Sequence, residues 1–206
     1  KKTAMVRLEL SLELNYEIYG QGSDFIFNIH NAYTAHQTVS NEKLELSQPV
    51  NPEIYTDPAT ANRYMRLHAE EGQLKVRYQS TIDINHHFAD PAHIAEVSVA
   101  KLPAQVLSYI YPSRYCESDR LHRMAIREFG HLWQGYGRVK AIQDWVQNRV
   151  VYTPNTSDSS TSAIDTLIEQ VGVCRDYAHL MIALCRAVNI PARFVTGTDY
   201  GAYPVW

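Results

Sequence analysis

The sequence predicts an α+β protein, with an N-terminal antiparallel β-sandwich followed by a core of helices and short strands. Three observations carry this expectation. Up to about Leu102 the apolar residues alternate with polar ones at period two. Beyond Leu102-Pro103 they recur at helical spacing, and turn-forming residues punctuate both regions. The expected domains are therefore residues 1–102 and 103–206.

In the first domain, Val6-Arg7-Leu8-Glu9-Leu10-Ser11-Leu12-Glu13-Leu14 has the alternation of a half-buried strand. Residues 24–30 and 43–46 continue the pattern, and 73–84 form a second long alternating strand after the turn-prone Glu71-Gly72. Gly20-Gln21-Gly22 and Asp57-Pro58 supply turns between strands, as a sandwich requires. In the second domain, Ser118 is expected to cap a helix over 119–129 that ends at Gly130. Val139, Ile142, Trp145 and Val146 mark an amphipathic helix over 138–150. Ser162 with Asp165 reads as a capping box opening a helix over 163–170, which Gly172 breaks. A further helix is expected over 174–188, stopped by Asn189-Ile190-Pro191, and then a strand over 192–196.

Composition narrows the function. With 45% hydrophobic and 20% charged residues, the 206-residue chain is globular rather than disordered. A net charge of -3 without charge blocks argues against nucleic acid or an anionic membrane as main partner. No apolar run reaches a membrane span, and the start, Lys1-Lys2-Thr3-Ala4-Met5, is not a signal peptide. Three cysteines without a CxxC pair fit neither a disulfide framework nor a zinc ribbon, so free thiols and a cytoplasmic location are expected. His86-His87 closes a strand with side chains facing apart, a poor metal site, and no HExxH occurs. No cofactor is expected, and the oligomeric state is open.

One segment stands out chemically. In Gly172-Val173-Cys174-Arg175-Asp176-Tyr177-Ala178-His179-Leu180 the cysteine falls in the first turn of a helix. At about 100° per residue, Cys174, Ala178, Met181 and Cys185 share an apolar face, and Arg175, His179 and Arg186 a polar stripe. Unpaired N–H groups and the positive helix end favour a thiolate there. The Cys174 N–H is a natural oxyanion donor, and Gly172 would let a substrate backbone approach. The plain alternative is a small buried thiol at a helix start. Cys116 and Cys185 read as structural, Gly135-Tyr136-Gly137 as a helix terminator, and Arg175 with Asp176 as near-site residues that cap the helix or face substrate.

Five ordered blocks then resemble a family. They are Arg138-Val139-Lys140-Ala141-Ile142-Gln143-Asp144-Trp145-Val146; Val151-Tyr152-Thr153; Thr161-Ser162-Ala163-Ile164-Asp165-Thr166-Leu167; Gly172-Val173-Cys174-Arg175-Asp176; and Ile190-Pro191-Ala192-Arg193-Phe194-Val195-Thr196-Gly197. Together, over residues 102–200, they are similar to the bacterial transglutaminase-like family, many of whose members are described as cysteine protease candidates. The resemblance implies a papain-like core, a β-sandwich before it, and a Cys-His-Asp triad with Cys174 as nucleophile. It also implies a peptide or protein substrate and, in the oxyanion hole, an upstream aromatic residue, for which Tyr152 is the candidate.

In the family the His and Asp follow on two strands beyond the Ile-Pro-Ala-Arg segment. Trp206 lies inside the loop before them, so the core is expected to be incomplete and the triad His and Asp to lie beyond Trp206, in a longer chain. A natural short form without the chemistry is the alternative. His179 sits about 140° around the helix from Cys174, and Asp199 precedes the expected histidine, so neither is assigned to the triad. Hydrolysis is favoured over amine transfer, because water needs no second-substrate site. A non-catalytic binding scaffold and an acyl transferase using a thioester cofactor are the competing readings.

Overall fold

The alternation over 73–84 produces the central strand of a sheet in the computed structural model, which describes residues 5–197. The chain divides into two compact units, with the division between Phe88 and Ala89. The strands of the first unit are β1 (Val6–Ile18), β2 (Ser23–Phe27), β3 (Gln37–Leu46), β4 (Glu53–Thr56), β5 (Arg63–Ala69) and β6 (Gly72–Ile84). They form two antiparallel sheets, ordered β1-β6-β3 and β2-β5-β4. Inward residues of both sheets share one core: Ile18 and Phe27, then Met65, Leu67 and Ala69, then Leu74 and Val76. Each such large side chain stabilises the fold by about 1.5–3 kcal/mol. The expected sandwich is thus present, with more strand than expected. β4 is exposed along its whole length and shows no apolar pattern, whereas β5 alternates buried Met65, Leu67 and Ala69 with exposed Arg66 and His68, the same signal that marks β6.

The second unit contains α1 (Ser118–Phe129), α2 (Tyr136–Arg149), β7 (Val151–Tyr152), α3 (Ala163–Glu169), β8 (Val171–Gly172) and α4 (Cys174–Ala187). The first three helices pack on α4. Leu121, Ala125 and Phe129 of α1, Ile142 and Val146 of α2, and Ala163 of α3 meet Leu180, Ala183, Leu184 and Ala187 of α4 in one core. Residues 89–110, largely short 3-10 turns, join this unit through the Ala95–Gly135 bridge and the ion pair between Glu96 and the buried Arg138. Compactness therefore changes earlier in the chain than the sequence pattern, which shifts at Leu102-Pro103.

Four local expectations are corrected. Gly135-Tyr136-Gly137 does not terminate a helix but opens α2, with Gly135 in the cap position. Ser118 is not a cap: the helix starts at this buried residue, and Glu117 precedes it without a side-chain bond, because the paired Ser113 and Cys116 turn the chain early. Gln170, with φ of 57°, ends α3, whereas Gly172 belongs to β8. Residues 192–196 form no strand among the described residues. A strand needs a ladder, and Ala192 N–H reaches only the carbonyl of Tyr109 at 3.0 Å.

Candidate active site

The turn that presents Cys174 is set up from α3 onward. Ser162 N–H donates to Asp165 Oδ2 at 2.8 Å and Ser162 Oγ accepts from Asp165 N–H, the capping box legible in the sequence. The left-handed Gln170 then swings the chain into β8, which pairs in parallel with β7. Val151 N–H donates to the Gln170 carbonyl at 2.8 Å and Thr153 N–H to that of Gly172 at 3.0 Å. Val173 leaves this ladder extended, and α4 begins with Cys174.

Asp176 locks that first turn. Its carboxylate is fully buried and accepts from Val173 N–H at 2.8 Å and from Arg175 at 3.1 and 3.2 Å. Burial pushes the Asp176 carboxyl up, but Val173 N–H, the Ser157 hydroxyl and Arg175 outweigh it and hold it below the usual carboxylate range. The reason for Gly172 follows: a Cβ there would lie 2.7 Å from Asp176 Cβ and 3.0 Å from its Oδ2. The space expected to admit a substrate backbone is filled by the protein's own aspartate. Arg175 also donates to the Asp158 carbonyl at 2.6 Å. Arg175 and Asp176 therefore brace the turn and the loop 154–161 beside it.

Cys174 is exposed, whereas Cys116 and Cys185 are buried. Burial pushes the Cys185 thiol up to about 12 and raises that of Cys116, so neither supplies a thiolate near neutrality. As the first residue of α4, Cys174 has an N–H without an intrahelical acceptor. Its placement on an apolar side needs correction. Of the residues that share its face, Ala178 and Met181 are only half-buried and Cys185 is buried. Most of what the helix buries, Asp176, Leu180, Ala183, Leu184 and Ala187, lies on the other side, because α1, α2 and α3 cover it from that direction.

Tyr152 is half-exposed in β7, in register with Gly172, which places its backbone two residues from Cys174 along the neighbouring strand. Tyr177 OH donates to the Val150 carbonyl at 2.5 Å, tying α4 to the end of α2. His179 stacks parallel on Tyr115, with centroids 5.2 Å apart, and its other neighbour is Phe194 at 5.5 Å. Among the described residues its buried Nδ1 has no hydrogen-bond partner, and neither does Glu117 Oε2. Asp199 and Trp206 lie outside the described residues. The role of the loop 154–161 and of Tyr115 was not foreseen; the polar loop was visible in the sequence, its attachment was not.

Comparison with known proteins covers both units. Residues 6–105 match the N-terminal domain of bacterial transglutaminase, and residues 126–205 match the transglutaminase-like superfamily. A crystal structure of a candidate cysteine protease from Cytophaga hutchinsonii superimposes with a TM-score of 0.84 at 35% identity. The alignment covers 91% of this chain and 67% of that one. An uncharacterized protein of Mycobacterium leprae is 37% identical over 59 residues, 29% of this chain. That match spans 21% of the Mycobacterium protein's length.

Proposed function

The chain belongs to the bacterial transglutaminase-like family, and from that premise we propose that it carries the nucleophile of a thiol-dependent amide-bond enzyme, Cys174. The family matches and the neighbour described as a candidate cysteine protease support a thiol enzyme in general terms. The observation that carries the finer reading is the contrast among the cysteines: Cys174 alone is exposed, and it opens α4.

In this reading the Cys174 sulfur attacks an amide carbonyl carbon of a peptide or protein substrate. The Cys174 N–H donates to the developing oxyanion, with Tyr152 beside it. The C–N bond breaks, the amine leaves with a proton, and water cleaves the thioester to return the thiol and a carboxylic acid. This chemistry calls for a base and an orienting acid, a His and an Asp in this family, and neither role is assigned to a described residue. Val173 N–H is already bound to Asp176, so the helix end has the Cys174 N–H to offer a substrate.

Alkylation with iodoacetamide at about pH 6, followed by peptide mapping, tests the nucleophile. Cys174 is expected to label well ahead of the buried Cys116 and Cys185, and also ahead of a free thiol, which with a pKa of about 8.5 is nearly unreactive there. In the full-length gene product Cys174→Ala is expected to abolish amide cleavage, while Cys185→Ala retains it. Full activity in Cys174→Ala would end the proposal. A Cys174 that labels no faster than a free thiol favours a non-catalytic binding scaffold.

A further inference from the structure

The polar stripe of α4 has no role in the proposed chemistry, yet its two members nearest Cys174 converge on one loop. Arg175 and His179 are four residues apart, so their side chains lie on the same face of the helix. Arg175 Nη2 donates to the Asp158 carbonyl at 2.6 Å. His179 stacks in parallel on Tyr115, and Tyr115 OH donates to the Ser159 carbonyl at 2.7 Å. Two consecutive carbonyls of the loop 154–161 are therefore held from one helix face, one directly and one through an aromatic relay.

The loop is braced internally between those two points. Asp158 N–H donates to Thr161 Oγ1 at 3.0 Å, Ser160 N–H to Asp158 Oδ1 at 2.7 Å, and Thr161 N–H to the Asp158 carbonyl at 3.3 Å. These bonds fix the turn internally and leave its position to the external contacts. The loop is also tied to the nucleophile turn itself, since Arg175, which holds Asp158, is the residue after Cys174 and also donates to the Asp176 carboxylate. The relay is anchored in turn: Ala163 N–H donates to the Tyr115 carbonyl at 2.9 Å, and Phe194 packs on the second side of His179.

We propose that Arg175 and His179 form a two-point clamp that fixes the loop 154–161 as a wall of the Cys174 site, which makes His179 and Tyr115 positioning residues for substrate access. The proposal deepens the reading of Cys174 as nucleophile and rests on it. Because the clamp acts through ring stacking and one hydroxyl, it separates into parts. Tyr115→Phe removes the bond to Ser159 and keeps the stack. His179→Ala removes the stack, and His179→Phe restores an aromatic face there.

Hydrogen exchange of peptides spanning 155–161, in this chain and its three variants, reads the clamp directly. Tyr115→Phe and His179→Ala are expected to speed exchange there by about two- to tenfold, the factor for losing one hydrogen bond or one aromatic pair. His179→Phe is expected to return it to the starting rate. The second readout is the ratio of Cys174 alkylation by a bulky maleimide to that by iodoacetamide, which rises when the wall is released. Unchanged exchange in Tyr115→Phe overturns the clamp, also if His179→Ala fails to fold. Faster exchange with an unchanged reagent ratio overturns the wall. A Cys174 inert to both reagents refutes the nucleophile and leaves the exchange result standing.

Discussion

Gly172 and Asp176 form a coupled pair at the scale of single residues. The aspartate reaches back from the third position of α4 to Val173 N–H and fills the volume where a Cβ of residue 172 would stand, 2.7 Å from its own Cβ. Gly172→Ala is therefore expected to destabilise the protein by about 1–3 kcal/mol, the usual cost of overpacking. Asp176→Ala loses bonds to a buried charged acceptor, at about 1.5–3 kcal/mol each where no water replaces them. The double variant is the sharper test. With the carboxylate gone there is nothing left to clash with, so the combined loss measured by urea unfolding is expected to fall short of the sum. Strict additivity would mean that the glycine serves some other end.

At the scale of elements, the segment before α1 belongs energetically with the helices that follow it. Arg138 lies buried in α2, and its partner is Glu96, in the stretch of short turns. Removing one member of such a pair strands the other charge, so Arg138→Ala is expected to cost about 3–5 kcal/mol. Replacing both residues by apolar ones of similar volume is expected to cost far less. Thermal unfolding of the two variants checks this, and equal losses would show that the pair itself stabilises. The same physics bears on the domain boundary: a fragment starting at residue 89 keeps Glu96, and one starting at 103 does not. That pair was not legible in the sequence, because forty-odd residues separate its members and neither carries a local signal. The capping box of Ser162 and Asp165 was legible, since a cap is a contact between neighbours. So was the opening of α4 at Cys174. The face that Cys174 occupies was misread, because periodicity gives the angle between residues and leaves open which side a neighbouring helix will cover. Strand β4 was missed for a related reason, since an edge strand has little to bury, whereas β5 does carry the period-two alternation of Met65, Leu67 and Ala69 with Arg66 and His68 and was legible though not read.

At the scale of the whole molecule, each unit carries, among the described residues, one imidazole with a buried Nδ1 that lacks a partner there and lies near an arginine. In the first unit it is His30, whose ring lies 4.7 Å from that of Tyr78. In the second it is His179. Burial lowers the pKa of His30, Arg63 lowers it further, and Glu42 opposes them. Burial likewise lowers that of His179, with Arg175 adding to it and Asp176 and Glu117 opposing. Both folded forms therefore hold a proton less readily than the unfolded chain, where histidine titrates near about 6.5. The stabilisation from each neutral imidazole is complete above that value. It is lost as the pH falls from there through the folded pKa, because the unfolded chain then takes up protons that the native state refuses. Both cores are accordingly expected to weaken as the pH falls below about 6.5, where histidine titration sets in ahead of the carboxylates. Hydrogen exchange against pH separates the two contributions within one molecule. Peptides from β5 report the first core and peptides from the middle of α4 the second. His30→Phe is expected to flatten the acid slope of the β5 peptides alone, and His179→Phe that of the α4 peptides alone. A slope that survives both substitutions would overturn the assignment to these histidines, because a carboxylate such as Glu42, whose pKa burial raises but bonds from Arg63, Tyr33 and Tyr78 lower to about 2, gives up its stabilisation only at more acidic pH.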